Sequence, residues 1–427
     1  MKQRPAGLIC EEPFRLFFPL AVLATAGGVA LWPMLHHGLL SIYPGVMHAR
    51  LMTVGLAGFL VGFLGTAFPR PIDAPPLRGV EVVIILGLWL ASLAFHFLNR
   101  TAVGDGLFAA MMVLFVLSLA LRWLVLGADT PPPGGPVALV GLLCGGLASG
   151  ALAWREGLWM SPAEYRLSHL LLYQGMALLP LLGVAPYLAP RLVGHGSTHS
   201  LAASPVPPSG WWSRFLSCAA AGVAVQFSFV VEAAGHPRTG MAIRTGVILA
   251  YFLCATPLVR RARTLTTCGT AVRVAVLCTV AALAWAAVDP SRRIGILHLF
   301  FVSGLGLVMM GIGVRVVLGH AGRHELLAGK IPWLRVVIGL VLLAAATRAS
   351  ADFLPRIRVS HLDYAAAMWV VAALLWLGKL GRWFLVQEPG EDPGKCPKAR
   401  NRTNESVPAV SAELPELGPG RSRGGDA

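Results

Sequence analysis

Charge is what this sequence has least of, and acidic charge is the scarcer kind. Only 20 of 427 residues are Asp or Glu, against 35 Lys or Arg, and charged side chains make up 13% of the chain. Soluble domains carry about 25%, so a water-soluble fold is excluded. No Walker loop, dinucleotide fingerprint, HExxH or GxSxG string occurs. Nucleotide-driven work, nicotinamide chemistry and hydrolysis therefore have no support at the level of residues. The cysteines (Cys10, Cys144, Cys218, Cys254, Cys268, Cys278 and Cys396) form no CxxC pair and mostly fall in apolar runs. They read as small buried hydrophobes, with neither a disulfide frame nor a thiolate metal cluster.

Apolar side chains are abundant instead. Hydrophobic residues make up 56% of the chain and mean hydropathy is +0.68. Apolar runs of about 20 residues, the length that crosses a bilayer as a helix, recur from end to end. Turn-rich strings separate them, such as Thr130 to Pro136 and Ser204 to Gly210. Spans are predicted at 16–35, 47–68, 80–98, 106–127, 136–154, 167–190, 211–233, 241–258, 270–288, 294–318, 333–350 and 362–386. The fold class is therefore all-α, a polytopic transmembrane helical bundle of twelve spans. Residues 1–15 form a short charged arm and residues 16–386 the membrane domain. Residues 387–427, rich in Pro, Gly and mixed charge, form a tail expected to be disordered. The first apolar run has no clean cleavage site after it and reads as a retained span.

The net charge of +15 does not point to nucleic acid. Basic and acidic residues nearly balance in the tail, so the excess lies in loops between spans, where topology selection puts it. The partner it implies is the lipid bilayer. The more basic set of loops includes Arg260, Arg261 and Arg263 and assigns both termini to the cytoplasm. His36, His37, His48, His96, His169, His236, His298 and His361 then fall on the outer side, and only His195, His199, His320 and His324 on the cytoplasmic side. Histidine is amphipathic and settles at membrane interfaces for no functional reason, so the asymmetry is suggestive only as a set.

The segment from His298 to Arg323 is one apolar run with a histidine near each end. As a helix it holds His298 and His320 roughly 33 Å apart, so they cannot share a ligand. In the second span, His48 and Gly55, Gly58, Gly62 and Gly65 share about a third of the helix circumference. Close helix packing explains such a groove; so does a flat group lying against it with His48 as axial ligand. His48, His169 and His298 open spans 2, 6 and 10, and Gly175 and Gly304 each follow a histidine by six residues. Convergence of these imidazoles, with His236 at the end of span 7, would suit haem iron or copper. Glu232 is the clearest acidic residue inside a span and is expected to pair with Arg238 or Arg244 or to orient a histidine. Arg315 is placed to snorkel to the cytoplasmic face, ahead of a tight turn from Gly319 to Arg323.

Four stretches resemble the NnrS family. They are Pro13-Phe14-Arg15-Leu16-Phe17-Phe18; His48-Ala49 with Met52, continuing to Pro69; Pro76-Leu77-Arg78-Gly79; and Arg315 through Gly319-His320-Ala321-Gly322-Arg323. Where the family carries a second histidine and a glutamate after His48, this chain has Arg50 and Leu51. His36, His37 and His96 are candidate substitutes for a lost ligand. The resemblance implies a multi-pass bacterial inner-membrane protein holding haem and copper and tied to nitric oxide and nitrosative stress. On that basis His48 and His298 are the expected haem ligands, and His169 and His236 the candidates for copper. His320 and Arg323 are expected to fix the cytoplasmic turn. A more distant architectural likeness is to the main subunit of haem–copper oxidases, with metal-ligand histidines on helices 2, 6, 7 and 10.

The rival readings are a solute transporter, with Pro180, Pro186 and Pro190 breaking span 6 to form a site, and an assembly partner of a respiratory complex. The sequence identifies no electron donor, and it leaves sensing, sequestration and reduction of nitric oxide open.

Overall fold

The computed structural model describes residues 9, 11–154, 160–193, 204–258 and 266–386. Cys10, His195, His199, the cluster Arg260, Arg261 and Arg263, Cys396 and the tail 387–427 lie outside the described residues. No strand occurs among the described residues. The long helices are α1 Phe14–His36, α2 Gly45–Ala67, α3 Gly79–Phe97, α4 Thr101–Leu121, α5 Gly135–Ala153, α6 Pro162–Leu192, α7 Trp211–Ala233, α8 Pro237–Ala255, α9 Thr267–Val288, α10 Pro290–His320, α11 Pro332–Ser350 and α12 Pro355–Leu385. Among the described residues, 11 of these helices are long and apolar enough to cross a membrane. The exception is α8, whose first half carries Arg238 and Arg244.

The outer faces show what solvent the bundle needs. Val80, Val83, Ile84 and Leu90 on α3, and Leu216, Val223, Phe227 and Val230 on α7, are exposed at helical spacing. Contiguous apolar faces of that extent belong against lipid. Helices adjacent in sequence pack against one another, and α12 returns against α1. The most buried span is α2, and the least buried is α3.

The glycine face of α2 is a packing face. A Cβ at Gly58 would lie 2.7 Å from the Trp89 indole of α3, and one at Gly62 would lie 3.0 Å from the main chain of Phe14 on α1. Trp89 Nε1–H donates to the Val54 carbonyl across the same contact, at 2.8 Å. The groove considered as a seat for a flat cofactor is thus filled by α1 and α3. Nor do the prolines break α6, which runs helically through Pro180, Pro186 and Pro190 to Leu192. Instead, α6 and α10 each contain a π-helical stretch immediately after a cavity histidine or one residue beyond it, Leu171–Gly175 after His169 and Leu299–Leu305 after His298. Such extra-residue turns re-aim side chains and are frequent at functional sites.

One end of the bundle is locked by an ionic clamp. Glu12, 2% exposed, accepts from Arg15 Nε at 2.6 Å and from Arg70 at 2.7 Å, and meets His320 Nδ1 at 2.5 Å. Arg15 also donates to the carbonyls of Phe384 and Val386. The clamp therefore joins the starts of the chain and of the segment after α2 to the ends of α10 and α12. Gly322, at φ +67°, takes the left-handed conformation that ends α10, with Arg323 N–H donating to the Leu318 carbonyl at 2.8 Å. At the start of α3, Arg122 donates to the carbonyls of Pro75 and Pro76 and pairs with Glu81 at 2.6 Å.

Burial alone would raise the Glu12 carboxyl, but the His320 hydrogen bond and the charges of His320, Arg15 and Arg70 overcome it and hold the group at about 2, against 4.5 ordinarily. A depressed carboxylate contributes stability that is complete above its unfolded value and is lost as pH falls through the folded one. Thermal unfolding of the detergent-solubilised protein should lose about 3 kcal/mol of stability between pH 4.5 and about 2 on this account. Glu12→Gln should flatten that part of the profile; an unchanged profile would refute the assignment.

Candidate functional site

At the end opposite the clamp, α1, α2, α6, α10, α11 and α12, with Glu232 of α7, line a cavity of about 660 Å³. His48, His169 and His298 all line it, so the spacing of one histidine every four helices is a spatial convergence. The remaining wall is mostly apolar, with Met52, Leu56, Phe301 and Trp369; of its charged groups, Arg348 and Arg358 pair with Asp352 at 3.3 and 3.7 Å, and Arg166 and Arg293 add further positive charge.

His48 and His298 lie with ring centroids 6.5 Å apart and planes 13° from parallel. His48 Nδ1 meets the Gly28 carbonyl at 2.9 Å, and His298 Nδ1 meets the Ile294 carbonyl at 2.6 Å. A carbonyl can only accept, so each Nδ1 carries the proton and each Nε2 presents its lone pair. His169 is built the same way, with Nδ1 at 2.8 Å from the Tyr165 carbonyl. This is how metal-binding imidazoles are commonly oriented.

Two buried arginines hold the π stretch of α6 from opposite sides. Arg50 of α2 donates to the Tyr173 hydroxyl and forms a two-point pair with Asp105 of α4, at 2.7 and 2.9 Å. Arg244 of α8, fully buried, donates to Gln174 at 2.6 Å, to Ser228 at 3.1 Å and to Glu232 at 2.7 Å. Tyr173 and Gln174 both line the cavity, so these arginines fix its α6 wall. Glu232 lines it too, paired with Arg244 and, at 3.6 Å, with Arg293. Of the two partners expected for Glu232, the structure places Arg244 against it.

The other histidines divide. His236 lies in a separate shallow pocket with Arg238 and Asp289. His36 and His37 approach Asp363 at 2.6 and 3.8 Å, and His361 meets Ser350. His96 is 1% exposed, 3.6 Å from Asp105, and neither ring nitrogen has a hydrogen-bond partner among the described residues. Arg315 is partly buried one turn before the end of α10. His320 belongs to the clamp, and Arg323 stacks over Trp383 at 4.9 Å. Among the described residues, no three His, Cys, Asp or Glu side chains come together as a metal-binding group. Arg50 occupies one of the positions where this chain departs from the resembled pattern; Leu51 packs with Leu31 and Met47. Sequence reasoning missed Arg348, Tyr173 and Gln174. Arg348 carried a signal, as a charge inside a span. Tyr173 and Gln174 carried none, because a π turn has no hydrophobic periodicity of its own.

Apolar outer faces on bilayer-length helices, around a cavity lined by three histidines, define a multi-pass integral membrane protein. The profile of the NnrS family, described as NnrS protein, matches residues 9–387. The chain belongs to that family. No curated protein matches it.

Removing one partner of a buried pair leaves an uncompensated charge. Arg244→Met should destabilise the protein by about 3–5 kcal/mol in thermal unfolding, with much of the loss recovered in the double variant carrying Glu232→Gln. A single variant as stable as the parent would show that the pair does not hold the α6 wall.

Proposed function

We propose that this protein is a haem-binding membrane protein of the bacterial inner membrane that handles nitric oxide, with His48 and His298 as the residues that would hold the haem. The observation that carries the reading is the His48–His298 pair. The rings are 6.5 Å apart at their centroids and nearly parallel, and both line the cavity, so these two side chains would be the ones to hold a metal-containing group there. Their tautomers are preset by the Gly28 and Ile294 carbonyls. The cavity's volume falls within the range of about 300–1,000 Å³ usual for small-molecule and cofactor sites.

The residues divide the work. His48 and His298 hold the group, and Arg348 and Arg293 on the cavity wall suit its carboxylates. Met52, Leu56, Phe301 and Trp369 exclude water. Haem, if bound there, would supply one-electron chemistry and affinity for nitric oxide. Copper, which the resemblance also implies, would draw on His169, around which no three-ligand group gathers among the described residues. His236, in its own pocket, is not placed to join it. With both termini cytoplasmic, the cavity lies at the outer side.

The visible reduced-minus-oxidised spectrum of detergent-purified protein should show a low-spin haem. His48→Ala and His298→Ala should each abolish or shift the Soret band. A colourless preparation from haem-replete cells, or two variants with unchanged spectra, would sink the proposal.

A further inference from the structure

A second space of about 70 Å³ lies deeper in the bundle, between α2, α6, α9 and α10. Its lining is apolar throughout, including Leu60, Ala177, Val184 and Ile312. Leu56, Leu305 and Met309 line both this pocket and the large cavity, so they form the partition between them. Met309 follows His298 by eleven residues, about 16 Å along the helix, which is near the middle of a ~30 Å hydrocarbon core.

Those facts limit the occupant. Water there would find none of the two to four polar partners it needs. Ions and hydrogen-bonding solutes would lose their hydration without replacement. Porphyrins are too large for the space. What fits is an uncharged, apolar solute of two or three heavy atoms, a class already soluble in the bilayer interior. Methionine is unbranched and flexible, which suits Met309 to a partition that yields without rearranging the helices.

We propose that this pocket is a binding site for small apolar gas molecules and a route between the bilayer interior and the histidine cavity. What the gas is for rests on the proposed haem function; the pocket itself does not require haem.

Xenon is the direct probe. Crystals of the full-length protein pressurised with xenon should show one peak bounded by Leu60, Ala177, Val184 and Ile312. The peak should vanish in Val184→Phe, which fills the space from α6, and in Ile312→Phe, which fills it from α10. No xenon there in the parent protein, or density for an acyl chain in its place, overturns the proposal. Colourless protein that still takes up xenon supports the pocket and defeats only the haem reading. In haem-loaded protein, both variants should slow carbon monoxide rebinding after flash photolysis several-fold with the spectrum unchanged. An unaltered rate removes the route.

Discussion

Inside a bilayer there is no water to complete a polar group's hydrogen bonds, so each charge placed there must find its partners within the protein. That constraint governs the architecture. Arg50 is answered by Asp105 and Tyr173, and Arg244 by Glu232, Gln174 and Ser228. At the bundle's edge Glu12 is answered by Arg15, Arg70 and His320. Each set joins helices distant in sequence, which apolar contact against lipid-like neighbours would not specify on its own.

The two ends of the bundle use the constraint differently. At the clamp end the polar groups neutralise one another and tie the start of the chain to its last helix. At the cavity end they hold a wall in place, and the histidines are left with a directed lone pair. The π stretches of α6 and α10 matter here because they set the helices' facing turns around a shared space. Nitric oxide chemistry, if housed there, would take place beside three imidazoles oriented by main-chain carbonyls.

The family-resembling stretches gather mostly at the clamp end, and their physical roles are now visible. Arg15 and His320 meet at Glu12, and Gly322 takes the left-handed turn that ends α10. The Pro75 and Pro76 carbonyls receive Arg122 just before the Pro76 to Gly79 stretch closes onto α3. The glycines of α2 admit Trp89 and Phe14. Such a signature identifies how the bundle is bolted together, while among those stretches only the first turns of α2, with His48, Met52 and Leu56, reach the cavity.

The amino-acid sequence by itself determined the membrane class, the helices and the grouping of eight histidines toward one end, because bilayer-length apolar runs and turn residues are local properties. It also singled out His48 and His298. Tertiary structure alone decided which face of α2 meets the cavity: the glycine groove went to α1 and α3, since periodicity marks a face without naming its neighbour. It also separated His236 from the other imidazoles and brought Arg50 and Arg244 onto adjacent residues of α6. Those meetings join residues tens to more than a hundred positions apart, and no local pattern records which distant charge will answer which.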